Sequence, residues 1–186
     1  MKPTDRMLLQ LLSAAINAQN PTLDRALSDS EWNLVYGQAA KQGVLAVMWE
    51  SVRRLPQDLQ LVRSLKLQWA YGVEQIVSRS KRQMQEAARF AALCADAGCR
   101  LILLKGIGLS RYYPVPLQRE CGDIDILLPE GFEIGNEIAK SHGMTISGLD
   151  YKHNHIYSNG IMFENHRYLT SVSYTHLRAH ETDSYL

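Results

Sequence analysis

Net charge is nearly absent from this chain. Twenty lysines and arginines stand against 19 aspartates and glutamates, which leaves a formal +1 over 186 residues. No strong field therefore draws it to nucleic acid or an anionic membrane by charge alone, although a local basic patch needs only a few residues on one face. Long apolar runs are missing too, and none approaches the ~20 residues of a membrane span. The opening MKPTDRMLLQLLSAAINAQ is interrupted by Asp5, Arg6 and Gln10 and is followed by no convincing cleavage site. It reads as an amphipathic helix of a cytoplasmic protein, not an export signal. Cysteine is scarce and odd in number: Cys94, Cys99 and Cys121 lack metal-ligand spacing and read as reduced structural thiols.

What remains is an ordinary globular balance, 46% apolar and 21% charged, in a length sufficient for one good core. The first hundred residues have a helical period. TDRMLLQLLSAAINAQ places apolar residues at 8, 11, 12, 15 and 16, one face of a helix. SDSEWNLVYGQAAKQGV opens with Ser and Asp, and Glu31 follows Ser28 by three, the spacing of a capping box. LAVMWESVRRL follows Gly43 and stops before Pro56. From Gln57 to Ala97 a polar-apolar pattern runs to Gly98, a C-terminal stop; Gly72 within it leaves one helix or two open. Trp32, Trp49 and Trp69 sit in helical patterns and read as core or groove residues, not as platforms for nucleic acid.

The period then changes. CRLILLKG (99–106) is a short apolar run ending in glycine and reads as a buried strand. IGLSRYY reads as a short helix and PVPLQREC as a loop. DIDILLP is a second strand, and EGFEIGNEIAKSHG a helix closed by Gly143. YKHNHIYSNGIMFENH has strand-like runs on either side of Ser158-Asn159-Gly160, and Asn-Gly is a strong hairpin signal. The last sixteen residues, SVSYTHLRAHETDSYL, lack a clear period and resemble the translation of a sequencing adapter. Residues 171–186 are therefore expected to be a non-native tail, and His176, His180 and Asp183 are set aside as metal ligands.

The chemistry concentrates in CGDIDILL. Residues two apart on a strand share a face, so Asp123 and Asp125 project together while Ile124, Ile126 and Leu128 pack the other way. Burying unpaired charge costs several kcal/mol unless a partner compensates it, and a divalent cation would. Mg²⁺ takes one or two carboxylates plus substrate phosphates, and two ions can clamp a phosphoryl displacement. The bland alternative is a strand end whose aspartates face water or cap the next helix. In GIMFENH, alternation puts Met162, Glu164 and His166 on one face, so Glu164 completes a three-carboxylate site if its strand lies beside the aspartate strand. Lys105-Gly106 closes the first strand. Glycine lets backbone approach a phosphate there, and Lys105 offers a point charge. Arg119, four residues ahead of Asp123, is a candidate for contact with a triphosphate, although taken by itself it reads as a surface arginine.

LILLKGIGLSRYYPVPLQRECGDIDILLPE resembles the signature of a bacterial nucleotidyltransferase family, K-G-x-x-L, then Y-x-x-P, then R-x-x-x-D-[IV]-D-[IL]-L. Here these positions are Lys105, Gly106, Leu109, Tyr113, Pro116, Arg119, Asp123, Asp125 and Leu127. Glu164 and His166 match an acidic residue two positions before a His. The resemblance covers about residues 5–170 and implies a DNA polymerase β-like fold: α+β, a helical region (1–98), then a small α/β core with a mixed sheet (99–170), truncated at its C-terminus. It implies metal-dependent transfer of an NMP group from an NTP to a hydroxyl acceptor of unknown identity, with release of pyrophosphate. Asp123, Asp125 and Glu164 would hold two Mg²⁺ (or Mn²⁺) ions, and Lys105, Gly106 and Arg119 would contact the nucleotide. Two departures stand out: Lys-Gly replaces the usual Gly-Ser at the turn, and Glu replaces the usual third Asp.

Three other readings compete. A catalytically inactive nucleotide- or partner-binding module would keep the fold without turnover. A D-x-D glycosyltransferase would need a larger α/β domain upstream, where this chain is helical. HNH at 153–155 is reminiscent of nuclease motifs but lacks their remaining ligands; His153 and His155 instead alternate along a strand and line a polar face.

Overall fold

A computed structural model describes residues 3–148 and 150–168. The expected foreign tail, 171–186, lies outside the described residues. The elements are α1 (Pro3–Ile16), α2 (Asp29–Lys41), α3 (Leu45–Val52), α4 (Arg63–Asp96), β1 (Ile102–Leu103), α5 (Ile107–Ser110), β2 (Ile124–Leu127), α6 (Phe132–Ser141), β3 (Thr145–Ser147), β4 (His153–Ser158) and β5 (Ile161–His166). The chain forms two compact units, Met1–Arg82 with Leu109–Gly122, and Gln83–Gly108 with Asp123–Leu186. The architecture is α+β, a helical N-terminal region followed by a mixed five-stranded sheet with helices.

In the first unit the helices begin and pack as their sequences dictate. Ser28 caps α2: the Glu31 N–H donates to Ser28 Oγ (3.3 Å), and the Ser28 N–H donates to Glu31 Oε2 (2.9 Å). The apolar stripe of α1 buries Met7, Leu11, Ala14 and Ala15. Leu11 joins Trp32, Val35, Met48, Val52 and Trp69 in one core. Trp69 is fully buried with its indole N–H donating to the Leu45 carbonyl (2.9 Å), and Tyr36 and Trp32 meet it edge-on. The tryptophans are thus core residues. Trp69 lies on α4, which runs unbroken through Gly72. A Cβ at Gly72 would come within 2.9 Å of Leu45 Cδ2, so the glycine permits close helix packing. That contact offsets the ~1 kcal/mol that a helix-interior glycine loses to alanine.

In the second unit the sheet order is β1-β2-β5-β4-β3. β2 and β5 run parallel, with Asp125 opposite Glu164; all other neighbours are antiparallel. Asn159 and Gly160 both take positive φ (48° and 75°), as a tight hairpin requires, and join β4 to β5. One face of the sheet is apolar: Ile124, Phe163 and Ile156 lie side by side and fully buried, with Phe90 of α4 edge-on to Phe163 at 5.3 Å. On the same face, Asn165 and Asn154 sit opposite each other and both donate to Asn136 Oδ1 of α6 (3.2 and 2.8 Å).

β1 departs from the sequence expectation. It is two residues long, and Ile102 is exposed. As an edge strand it has β2 as its sole neighbour in the sheet, so the apolar run CRLILL does not form a buried strand. β3, which carries no strong strand pattern in the sequence, pairs with β4. The three cysteines are buried free thiols, and burial pushes the Cys94 thiol up to about 11.

α4 is fastened to the β4–β5 hairpin through Glu86. Its carboxylate accepts from Arg89 (3.0 Å), Ser158 Oγ (2.8 Å) and Asn159 Nδ2 (2.8 Å). The Arg89 hydrogen bond, opposed by desolvation and aided by Asn159 and Ser158, holds its pKa down at about 2. A depressed carboxyl stabilises the fold above its unfolded pKa and loses that contribution as pH falls through the folded value. Glu86→Gln is therefore expected to cost about 1–2 kcal/mol at pH 7. The difference from wild type should shrink steadily between pH 4.5 and pH 2, read from urea midpoints at each pH.

Candidate active site

The polar face of the sheet gathers the ionisable residues. Because β2 and β5 are parallel neighbours in register, Asp125 and Glu164 project side by side. Asp123, two residues ahead of Asp125, shares its direction. Carboxylate oxygens of Asp123, Asp125 and Glu164 all lie within 4.8 Å of one another. The condition set by the sequence, that the two acidic strands be adjacent, is met.

Two side chains already attend Asp125, whose side chain is only 3% exposed. Lys105 Nζ lies 3.0 Å from its Oδ1, and His166 Nε2 donates to the same oxygen at 2.9 Å. Burial alone would raise the Asp125 pKa. The hydrogen bonds from His166 and Lys105, with the lysine's charge, outweigh it and hold the carboxyl below its ordinary value. The same hydrogen bond raises the Lys105 pKa. Glu164 goes the other way: burial first, then hydrogen bonding and repulsion from Asp123 and Asp125, push it up to about 7. A proton on Glu164 thus takes the place of a counter-ion between crowded carboxylates.

Gly106 stands at φ +59°, where a Cβ would come within 3.5 Å of the Asp123 carbonyl oxygen. The Lys105-Gly106 turn therefore lies directly against the acidic strand, and only a residue tolerant of positive φ fits without strain. α5 behind it is a single turn. Arg119 belongs to the first unit, where its guanidinium lies 5.6 Å over the Tyr113 ring and donates to Cys121 Sγ (2.8 Å). His153 and His155 lie on the same face as Glu164, opposite His166 and Glu164 respectively on β5.

The model of a family described as uncharacterised nucleotidyltransferase matches residues 28–185. The chain belongs to this family. No curated protein and no solved structure matches it. The matched span takes in Lys105, Gly106, Arg119, Asp123, Asp125 and Glu164. Among the described residues no helix is long and apolar enough to cross a membrane.

Sequence reasoning placed the three carboxylates and the polar histidines but missed two contacts that set the charge balance. One is His166 on Asp125, the other Lys105 on Asp125. The first had a signal: D-x-D and E-x-H on adjacent parallel strands put the His beside the Asp face. The second had none, since a lysine's reach is not coded in spacing.

The raised Glu164 pKa gives a signed prediction. An acid whose folded pKa exceeds its unfolded value stabilises the fold below the unfolded pKa, near 4.5, and loses that contribution as pH rises through about 7. Glu164→Gln mimics the protonated form at every pH. In EDTA it should match wild type near pH 4.5 and become the more stable of the two by pH 8, measured by chemical denaturation. A gap that is constant with pH would contradict the shared proton.

Proposed function

We propose that this chain is a metal-dependent nucleotidyltransferase that moves an NMP group from an NTP to a hydroxyl acceptor and releases pyrophosphate. The observation that carries the reading is the convergence of Asp123, Asp125 and Glu164 from adjacent parallel strands. An all-oxygen set of acidic ligands suits Mg²⁺ or Mn²⁺, and a carboxyl held near pH 7 by its neighbours marks a cluster short of positive charge. The residues present therefore fit the divalent ions that such a reaction uses. When bound, two such ions would lower the acceptor hydroxyl's pKa and neutralise the leaving pyrophosphate.

The chain's own residues divide the remaining work. Asp123, Asp125 and Glu164 are the residues that would hold such ions. Lys105, half exposed with its ammonium 3.0 Å from Asp125 Oδ1, is the cation placed to meet phosphate oxygens at the cluster. Gly106 keeps the turn flat against Asp123 so that phosphates can approach the backbone.

One observation favours a second reading, a nucleotide- or partner-binding module without turnover. The Lys105 ammonium and a hydrogen bond from His166 already occupy Asp125 Oδ1, as an internal substitute for a metal would.

Calorimetric titration of each NTP with and without Mg²⁺ tests both. Asp123→Asn should weaken Mg²⁺-dependent NTP binding at least tenfold with an unchanged circular dichroism spectrum; Mg²⁺-independent binding that survives the change sinks the metal site. Asp125→Asn is the poorer probe, because that carboxylate also anchors Lys105 and His166. Lys105→Met separates the readings. It weakens NTP binding if the lysine serves the phosphates, and tightens Mg²⁺ binding without weakening NTP binding if the lysine serves as the metal's substitute.

A further inference from the structure

Glu164 belongs to a second constellation that nucleotidyl transfer does not use. On the β4–β5 ribbon His153 sits directly opposite His166, and Glu164 lies two residues ahead of His166 on the same face. His153 Nε2 is 3.2 Å from Glu164 Oε1, and His166 Nε2 is 3.6 Å from Glu164 Oε2. The three ligand atoms all lie within 4.8 Å of one another. From these positions we infer that His153, Glu164 and His166 form a binding site for a transition-metal ion of the Zn²⁺ or Co²⁺ class, one that shares Glu164 with the all-carboxylate cluster.

The geometry and the donor chemistry both support it. Metal–nitrogen and metal–oxygen bonds of about 2.0–2.1 Å in a tetrahedral shell place neighbouring ligand atoms about 3.3–3.5 Å apart. Each imidazole nitrogen is already close to that distance from one oxygen of the Glu164 carboxylate, His153 from Oε1 and His166 from Oε2. Two imidazoles and one carboxylate suit Zn²⁺, Co²⁺, Ni²⁺ or Fe²⁺, whereas Mg²⁺ prefers oxygen ligands alone. The set also leaves a coordination position open for water or another ligand. The two rings lie 5.7 Å apart, centre to centre, on a hairpin whose turn is fixed by Asn159 and Gly160, so little rearrangement is needed. His166 must give up its Nε2 proton to ligate, and Asp125 then keeps Lys105 as its partner. The ion replaces protons between nitrogens and oxygens that already face one another.

Because Glu164 is common to both sets, the two classes of ion compete. An ion held by the histidines draws on the carboxylate that completes the oxygen cluster, so a transition metal should antagonise Mg²⁺ here. The inference does not depend on nucleotidyl transfer; it requires only that the three side chains accept a metal.

Co²⁺ titrated into the metal-free full chain, followed by calorimetry and by the visible absorption of the bound ion, tests it. Wild type should bind Co²⁺ and develop the visible absorption of an ion with nitrogen ligands, and His153→Ala and His153→Gln should each weaken binding at least tenfold and lose that absorption with unchanged circular dichroism. Wild-type affinity in both His153 variants, or no Co²⁺ binding by wild type, would overturn it. Mg²⁺ titration of the same proteins reports on the carboxylate cluster separately. A failure there leaves the Co²⁺ comparison between wild type and the His153 variants intact.

Discussion

The parallel pairing of β2 with β5 is the contact on which the site depends. An antiparallel sheet built from local hairpins would bring together strands that are close in sequence; this one sets β5 beside a strand that precedes a helix and two further strands. Parallel alignment in this register puts Asp125 against Glu164 and Leu127 against His166. Both acids and the imidazole then share one face, while Ile124 and Phe163 share the other. The same pairing produces the electrostatic tension of the site, because it forces carboxylates to within a few ångströms at a position largely removed from water. Lys105, His166 and a proton on Glu164 relieve that tension in the absence of a cation.

Register matters as much as direction, since a slip of one residue exchanges the two faces of a strand. The buried face carries its own means of fixing it. Asn165 and Asn154, opposite each other on β5 and β4, both reach Asn136 on α6, and Asn165 also donates to the Phe132 carbonyl. A shifted β5 would leave these amides buried without partners, at about 1–3 kcal/mol for each group. Isoleucines in their places would pack but would not specify one register over the next. The polar trio on the apolar face therefore holds Glu164 and His166 at the height where they meet Asp125.

Much of this was legible in the residues, and the illegible parts share a cause. Ser28 with Glu31 announced the start of α2, Asn159-Gly160 announced the hairpin, and the alternation in DIDILL and IMFENH assigned the carboxylates to one face. Each of these is a local rule. What could not be read depends on contacts distant in sequence. α4 passes through Gly72 because Leu45 packs onto it, β1 shrinks to an exposed pair because it is an edge, and β3 exists because β4 offers a free side. The capture of Lys105 by Asp125 belongs to the same group: the sequence shows a lysine and an aspartate, and only the turn at Gly106 brings them together.

Asp125 and His166 are 41 residues apart in sequence. Closing a loop of that length must be completed before its contacts give anything back, so such pairings form late and slowly compared with helices. As the chain leaves a ribosome, the aspartate strand emerges well before the strand that completes its charge network. In that interval Asp123 and Asp125 are solvated carboxylates without Glu164 or His166, and CGDIDILLP is an apolar segment with an unpaired edge. The charges that later make the site demanding to assemble serve there as gatekeepers, setting two negative residues in the stretch most prone to pair with another copy of itself.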